Sequence, residues 1–147
     1  MEKRQKSDDI EMLKDVYKNC KMGVESTAKL MPNVSNADMR RTMGEHLKQY
    51  QGFAARAADL LARQGQAPAD AGFFAKLPAE IGMAVEQMMD PSDSKTAQMM
   101  INGYVMGVAE LNKQLSDTPA ISEHTRSLCN DMIAFQQNAI NDMRQYL

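Results

Sequence analysis

Few side chains in this 147-residue sequence can hold a transition metal or serve as a redox thiol: two histidines, two cysteines and four tyrosines. The stretch from Asn36 to Gln64 carries Met39, Met43, His46, Tyr50, Phe53, Ala57 and Leu60 at steps of three and four. That spacing is the seam of a helix packed on other helices, and it points His46 inward. A preceding seam runs Ile10, Leu13, Tyr17, Cys20, Val24, Thr27, Met31. Counting outward from the loop between them puts Cys20 level with His46, with Tyr17 and Tyr50 one turn further away. A thiol, an imidazole and two phenols converging in a core could hold a soft metal or act in redox chemistry. Cys20, His46, Tyr17 and Tyr50 are therefore the candidate metal residues. Two ligands of the Cys and His type are too few to close a zinc site. The simpler expectation is a core histidine bonded to a tyrosine or to backbone, with no resident metal or cofactor.

The remaining chemistry is thin. Glu25 and Glu110 fall near helix seams, although Glu25 has Lys29 four residues on, an ordinary exposed pair. Met88, Met89, Met99, Met100 and Met106 could offer thioethers to copper(I), while core packing accounts for them more simply. No Ser or Cys stands beside a His and an acid in sequence, and no glycine-rich phosphate loop is present. The balance leans away from an enzyme.

Composition narrows the classes further. A formal charge of -2 and a pI near 5.7 give no electrostatic reason to expect nucleic acid or an anionic membrane surface. No apolar run approaches a membrane span. The opening MEKRQKSDD lacks the apolar centre of a signal peptide, so a cytoplasmic protein is expected. Cys20 and Cys129 suit reduced core thiols. Fourteen methionines without a tryptophan suggest a methionine-rich interior.

These signals read as an all-α chain, a single domain over 8–147 behind a flexible tail at 1–7. Asp8 is placed to cap a first helix (8–31), which Pro32-Asn33 ends. Ser35 caps a second (35–64), and Gly65 closes it in the left-handed conformation. A loop follows, then the Phe73-Phe74 patch, which either packs inside or forms a docking surface. A short helix is expected at 78–89. Asp90-Pro91 opens a helix over 91–115, and Thr118-Pro119 opens the last, over 119–147. No strand pattern appears.

The two hairpins echo each other. Met22-Gly23-Val24 matches Met106-Gly107-Val108, and Arg41 through Ala54 align without gaps against Arg126 through Ala139. A mid-helix glycine costs roughly 1 kcal/mol against alanine, so a matched pair suggests helices crossing too closely for a side chain. Two hairpins joined by a long crossover make a four-helix bundle in which helices 35–64 and 91–115 run parallel. With DVYKNCKMGVEST (Asp15–Thr27), EHLKQYQGFAARAADLLARQG (Glu45–Gly65) and AQMMINGYVMGVAELNKQL (Ala97–Leu115), the chain resembles the ferritin-like superfamily. Within it, the resemblance is to uncharacterised bacterial proteins related to rubrerythrins and spore-coat F-type proteins.

That resemblance implies a di-iron site of one Glu on each hairpin's first helix and Glu-x-x-His on each second. The motif is missing here. Glu45 is followed three residues later by Lys48, and Glu123 by Arg126. Each histidine directly follows a glutamate (Glu45-His46, Glu123-His124), which splays the pair about 100° apart around the helix. The expectation is thus a non-enzymatic ferritin-like bundle acting through its surface, in self-association or with a protein partner. The resemblance alone implies a stress- or spore-related setting. Two alternatives stand: a redox or storage protein holding iron or another transition metal near Cys20 and His46, and a carrier of a small apolar ligand in a methionine-lined interior.

Overall fold

The computed structural model describes residues 2–68 and 92–147. Among them are four α-helices and no strand: α1 (Glu2–Leu30), α2 (Ala37–Arg63), α3 (Asp93–Asp117) and α4 (Glu123–Arg144). A 3-10 turn, Met31–Asn33, follows α1. The all-α reading is met. Phe73 and Phe74, the short helix at 78–89, Met88, Met89 and the Asp90-Pro91 start lie outside the described residues.

The helix starts differ from expectation because residues read as local caps are engaged elsewhere. Asp8 and Asp9 do not open α1. Their carboxylates accept the backbone N–H groups of Ala120 (2.9 Å) and Ser122 (2.7 Å), tying α1 to the α3–α4 connection. Released from capping, Asp8 sits inside a helix that begins at Glu2, so the stretch expected as a tail is helical. Thr118 likewise closes α3 instead of opening α4. Its N–H and its hydroxyl both donate to the Gln114 carbonyl, at 3.0 and 2.7 Å. α4 starts four residues beyond Pro119, where Ser122 accepts from the Thr125 N–H. At α2 the cap is Asn36, whose side chain accepts from Met39 N–H (2.9 Å). The N–H groups of Ser35 and Asn36 go to the Asp93 carboxylate, both at 2.9 Å. Gly65 has φ 75°, as its place after α2 requires.

These ties fix direction. The start of α2 meets the start of α3 through Asp93, so those two run parallel, as the crossover requires. The start of α1 meets the start of α4 through Asp9 and Ser122. α1 pairs with α2 and α3 with α4, and the two hairpins close along α1/α3 and α2/α4. Every neighbouring pair is antiparallel. Met12, Met39, Met43, Met132 and Met143 are wholly buried with Leu13, Leu61 and Leu128. The flexible thioether side chains fill gaps that branched residues would leave between rods.

The echoed glycines serve a purpose other than close helix crossing. A Cβ on Gly23 would lie 2.3–2.6 Å from the ring of Tyr50, and one on Gly107 would lie 2.3 Å from Gln136 Nε2. Each glycine admits a side chain from the neighbouring helices, an aromatic ring at one site and an amide at the other.

Candidate functional site

His46 is 2% exposed, and both its ring nitrogens are engaged. Nδ1 lies 2.7 Å from the Tyr104 hydroxyl on α3, and Nε2 lies 2.9 Å from Asp142 Oδ2 on α4. A carboxylate only accepts, so Nε2 carries the hydrogen given to Asp142, and in the neutral ring Nδ1 then accepts from the phenol. Burial, then the nearby Tyr50 and Asp142, push the Tyr104 hydroxyl well above its ordinary range, which keeps it a donor. The imidazole edge also meets Tyr104 and Phe135 in T-shaped contacts at 5.4 and 5.7 Å. Asp142 is 52% exposed, so the chain runs from solvent through His46 to a buried phenol.

Neither partner of His46 was legible as such. Tyr104 reads as a seam position, and Asp142 stands 96 residues from His46 with no local pattern marking it. The expectation of a core histidine bonded to a tyrosine matches the Tyr104 contact in kind, without saying which tyrosine.

The other candidates go elsewhere. Cys20 sits in the core with its Sγ 3.8 Å from Met132 Sδ, and burial pushes its thiol far above the usual range. Burial likewise moves Cys129 up to about 12, with Arg126 pulling slightly the other way. Thiols held protonated in this way are poor nucleophiles and poor metal ligands at neutral pH. Tyr50 turns its ring into the space left by Gly23 and accepts a hydrogen bond from Gln136 Nε2 (3.2 Å). Tyr17 borders a separate hollow with Leu61 and Lys21. Of the four candidates, the structure therefore gives His46 to α3 and α4 and leaves Cys20 with α4.

Beside Tyr50, a second buried constellation crosses the bundle. Gln136 Nε2 also donates to Asn19 Oδ1 (3.0 Å), and Asn19 Nδ2 donates to the Gly107 carbonyl (3.2 Å). The missing Cβ at Gly107 leaves room for that amide.

Above these groups, α1 and α3 part to leave a cleft of about 160 Å³. Tyr50 and Tyr104 line it, their rings stacked at 6.2 Å and 17°. Met22, Met99 and Met106 also line it, and they are 46%, 42% and 59% exposed. A cluster of exposed thioethers contrasts with the six methionines buried in the core among the described residues. Met99 and Met106 stand among the thioethers singled out in the sequence, whereas Met22, off the apolar register of its own helix, joins them only through packing.

The described residues that the di-iron comparison turns on are not gathered around one centre. Glu25, Glu45, Glu110 and Glu123 are all exposed. Among the described residues no group of three or more His, Cys, Asp or Glu is placed to hold a metal ion. No helix of these residues is long and apolar enough to cross a membrane. The chain matches no protein-family model, and neither the curated proteins nor the solved structures contain a match.

Proposed function

We propose that this chain is a ferritin-like bundle that works by binding, and that the α1/α3 face docks another protein, in the first instance a second copy of itself. The fold reading is supported by the two antiparallel hairpins and by the parallel course of α2 and α3. The observation that carries the docking reading is the cluster of exposed Met22, Met99 and Met106 around one cleft, with exposed Val105 beside it in sequence. Adaptable thioether side chains on a rigid helical floor suit a surface that accepts apolar groups.

The cleft's volume of about 160 Å³ falls below the roughly 300–1,000 Å³ of small-molecule sites and suits one inserted side chain of a partner. A carrier of a small apolar ligand would use the hollow of about 480 Å³ beside Tyr17, Met22 and Leu61, which Lys14, Lys18, Lys21 and Glu25 also line. The stress- or spore-related setting follows from the family resemblance.

Sedimentation velocity over a wide concentration range tests the reading. Association should appear as concentration rises, and the paired Met22→Glu and Met106→Glu changes should abolish it with the helical circular dichroism unchanged. A chain that stays monomeric throughout, or association indifferent to both charges, would overturn self-association through this face.

A further inference from the structure

We propose that Met22, Met99 and Met106 form a binding site for one soft monovalent cation, copper(I) or its analogue silver(I), at the mouth of the α1/α3 cleft. The site uses the same face as the docking surface but requires no protein partner.

Register brings the three thioethers together. Asn19 Nδ2 bonds the Gly107 carbonyl, so Asn19 and Gly107 are level on two antiparallel helices. Met22, three residues beyond Asn19, is then level with position 104, between Met99 and Met106. The latter two are seven residues apart, hence on one face of α3 and about 10 Å apart along its axis. Two methionine side chains bending toward one another span that distance, with Met22 reaching in from across the cleft. All three line the same cleft. Gly103 lies between Met99 and Met106 and also lines it, and a Cβ built there meets nothing within 4 Å, so the floor between the three side chains has room for an ion that draws them together.

The donor set selects the ion. Three neutral thioethers suit a soft, low-charge cation and offer little to iron, manganese or magnesium, which take oxygen and nitrogen donors. The stacked rings of Tyr50 and Tyr104 present aromatic surface to the cleft, which favours a cation. Glu110, also on the lining, supplies a carboxylate that offsets the added charge. No electron or proton is transferred on binding, because a thioether carries no titratable hydrogen.

The test is an anaerobic titration with copper(I) held by a chromophoric chelator, alongside native mass spectrometry. One copper(I) per chain is expected. Met22→Leu, Met99→Leu and Met106→Leu should each weaken binding at least tenfold, and the triple variant should remove it. The titration is run at a protein concentration where the chain sediments as a monomer, so metal binding is read without self-association and the failure of either reading leaves the other standing. Affinity should be flat between mildly acidic and neutral pH and unchanged in Cys20→Ala with Cys129→Ala. Affinity that survives the triple Met→Leu change, that falls steeply with acid or that vanishes with the cysteines would place the ion on thiols and overturn the proposal. Failure of the wild-type chain to compete with the chelator would also overturn it.

Discussion

The two seams where the hairpins meet are built from opposite materials. Along α2/α4 the crossing groups meet carboxylates: His46 meets Asp142, and Arg56 meets Asp131 at 3.1 Å while its guanidinium lies 5.7 Å from the centre of the Phe53 ring. Along α1/α3 the donors that cross are amides, Asn19 to the Gly107 carbonyl and Gln114 to Glu11 at 3.2 Å. The first seam buries an imidazole, and its hollow of about 280 Å³ is lined mostly by polar groups, Arg56, Asp59, Arg63 and His124 among them. The second carries exposed thioethers around its cleft. The two seams differ in what lines them, and glycines shape the second. Gly23 draws the Tyr50 ring out of the centre toward α1, and Gly103 leaves unfilled space beside it.

The largest expected effect comes from exchanging those glycines. Gly23→Ala places a methyl inside the Tyr50 ring and should destabilise by about 3 kcal/mol, the upper end of the usual overpacking cost. Helix propensity returns only about 1 kcal/mol of that. Gly103→Ala meets nothing, so it should stabilise by up to about 1 kcal/mol. Urea unfolding of the two variants measures the contrast. Equal effects from both would mean that the seam does not distinguish these positions.

The α2/α4 seam breaks next. Tyr104→Phe leaves His46 Nδ1 without its donor in the core, at a cost of about 2 kcal/mol. His46→Phe leaves the Tyr104 hydroxyl unpaired and should cost a similar amount while preserving the fold. The double variant should cost clearly less than the sum, because neither polar group is then stranded. Additive losses in a urea-denaturation double-mutant cycle would show that the bond does not couple the two residues.

The smallest effect concerns the interior common to both seams. Cys129 has its thiol raised from about 9 to about 12 in the folded chain, chiefly by burial. A group whose folded pKa is raised favours the native state fully below its unfolded value. That contribution is lost as pH rises from 9 toward 12, since the unfolded thiol ionises first. The urea midpoint should therefore fall over that window, and Cys129→Ala should fall less steeply. A variant with the same slope as the parent would assign the pH dependence to the buried tyrosines.

Much of the fold was legible because helix seams are local. Spacing of apolar residues every three or four positions depends on the helical period alone, and it marked α1, α2, α3 and α4 before any neighbour was known. Gly65 was legible for the same reason, since only a left-handed residue suits that turn. Helix starts were less so. Asp8 and Thr118 are good local caps, yet Asp8 found a partner 112 residues away and Thr118 bonds back to the last turn of the preceding helix.

By itself, then, the sequence determined that this chain makes amphipathic rods, that His46, Cys20 and Tyr50 face inward, and that no acid-and-imidazole pair recurs at di-iron spacing. Only the packed bundle decided which inward groups meet. His46 went to Tyr104 and Asp142 because α3 and α4 bring a phenol and a carboxylate to its two nitrogens. Met22, Met99 and Met106 became one cluster because the Asn19–Gly107 bond sets the register of two antiparallel helices. Periodicity specifies a face of a helix but carries no information about rotation and slide against a neighbour, and those two quantities place side chains from different helices within reach of each other.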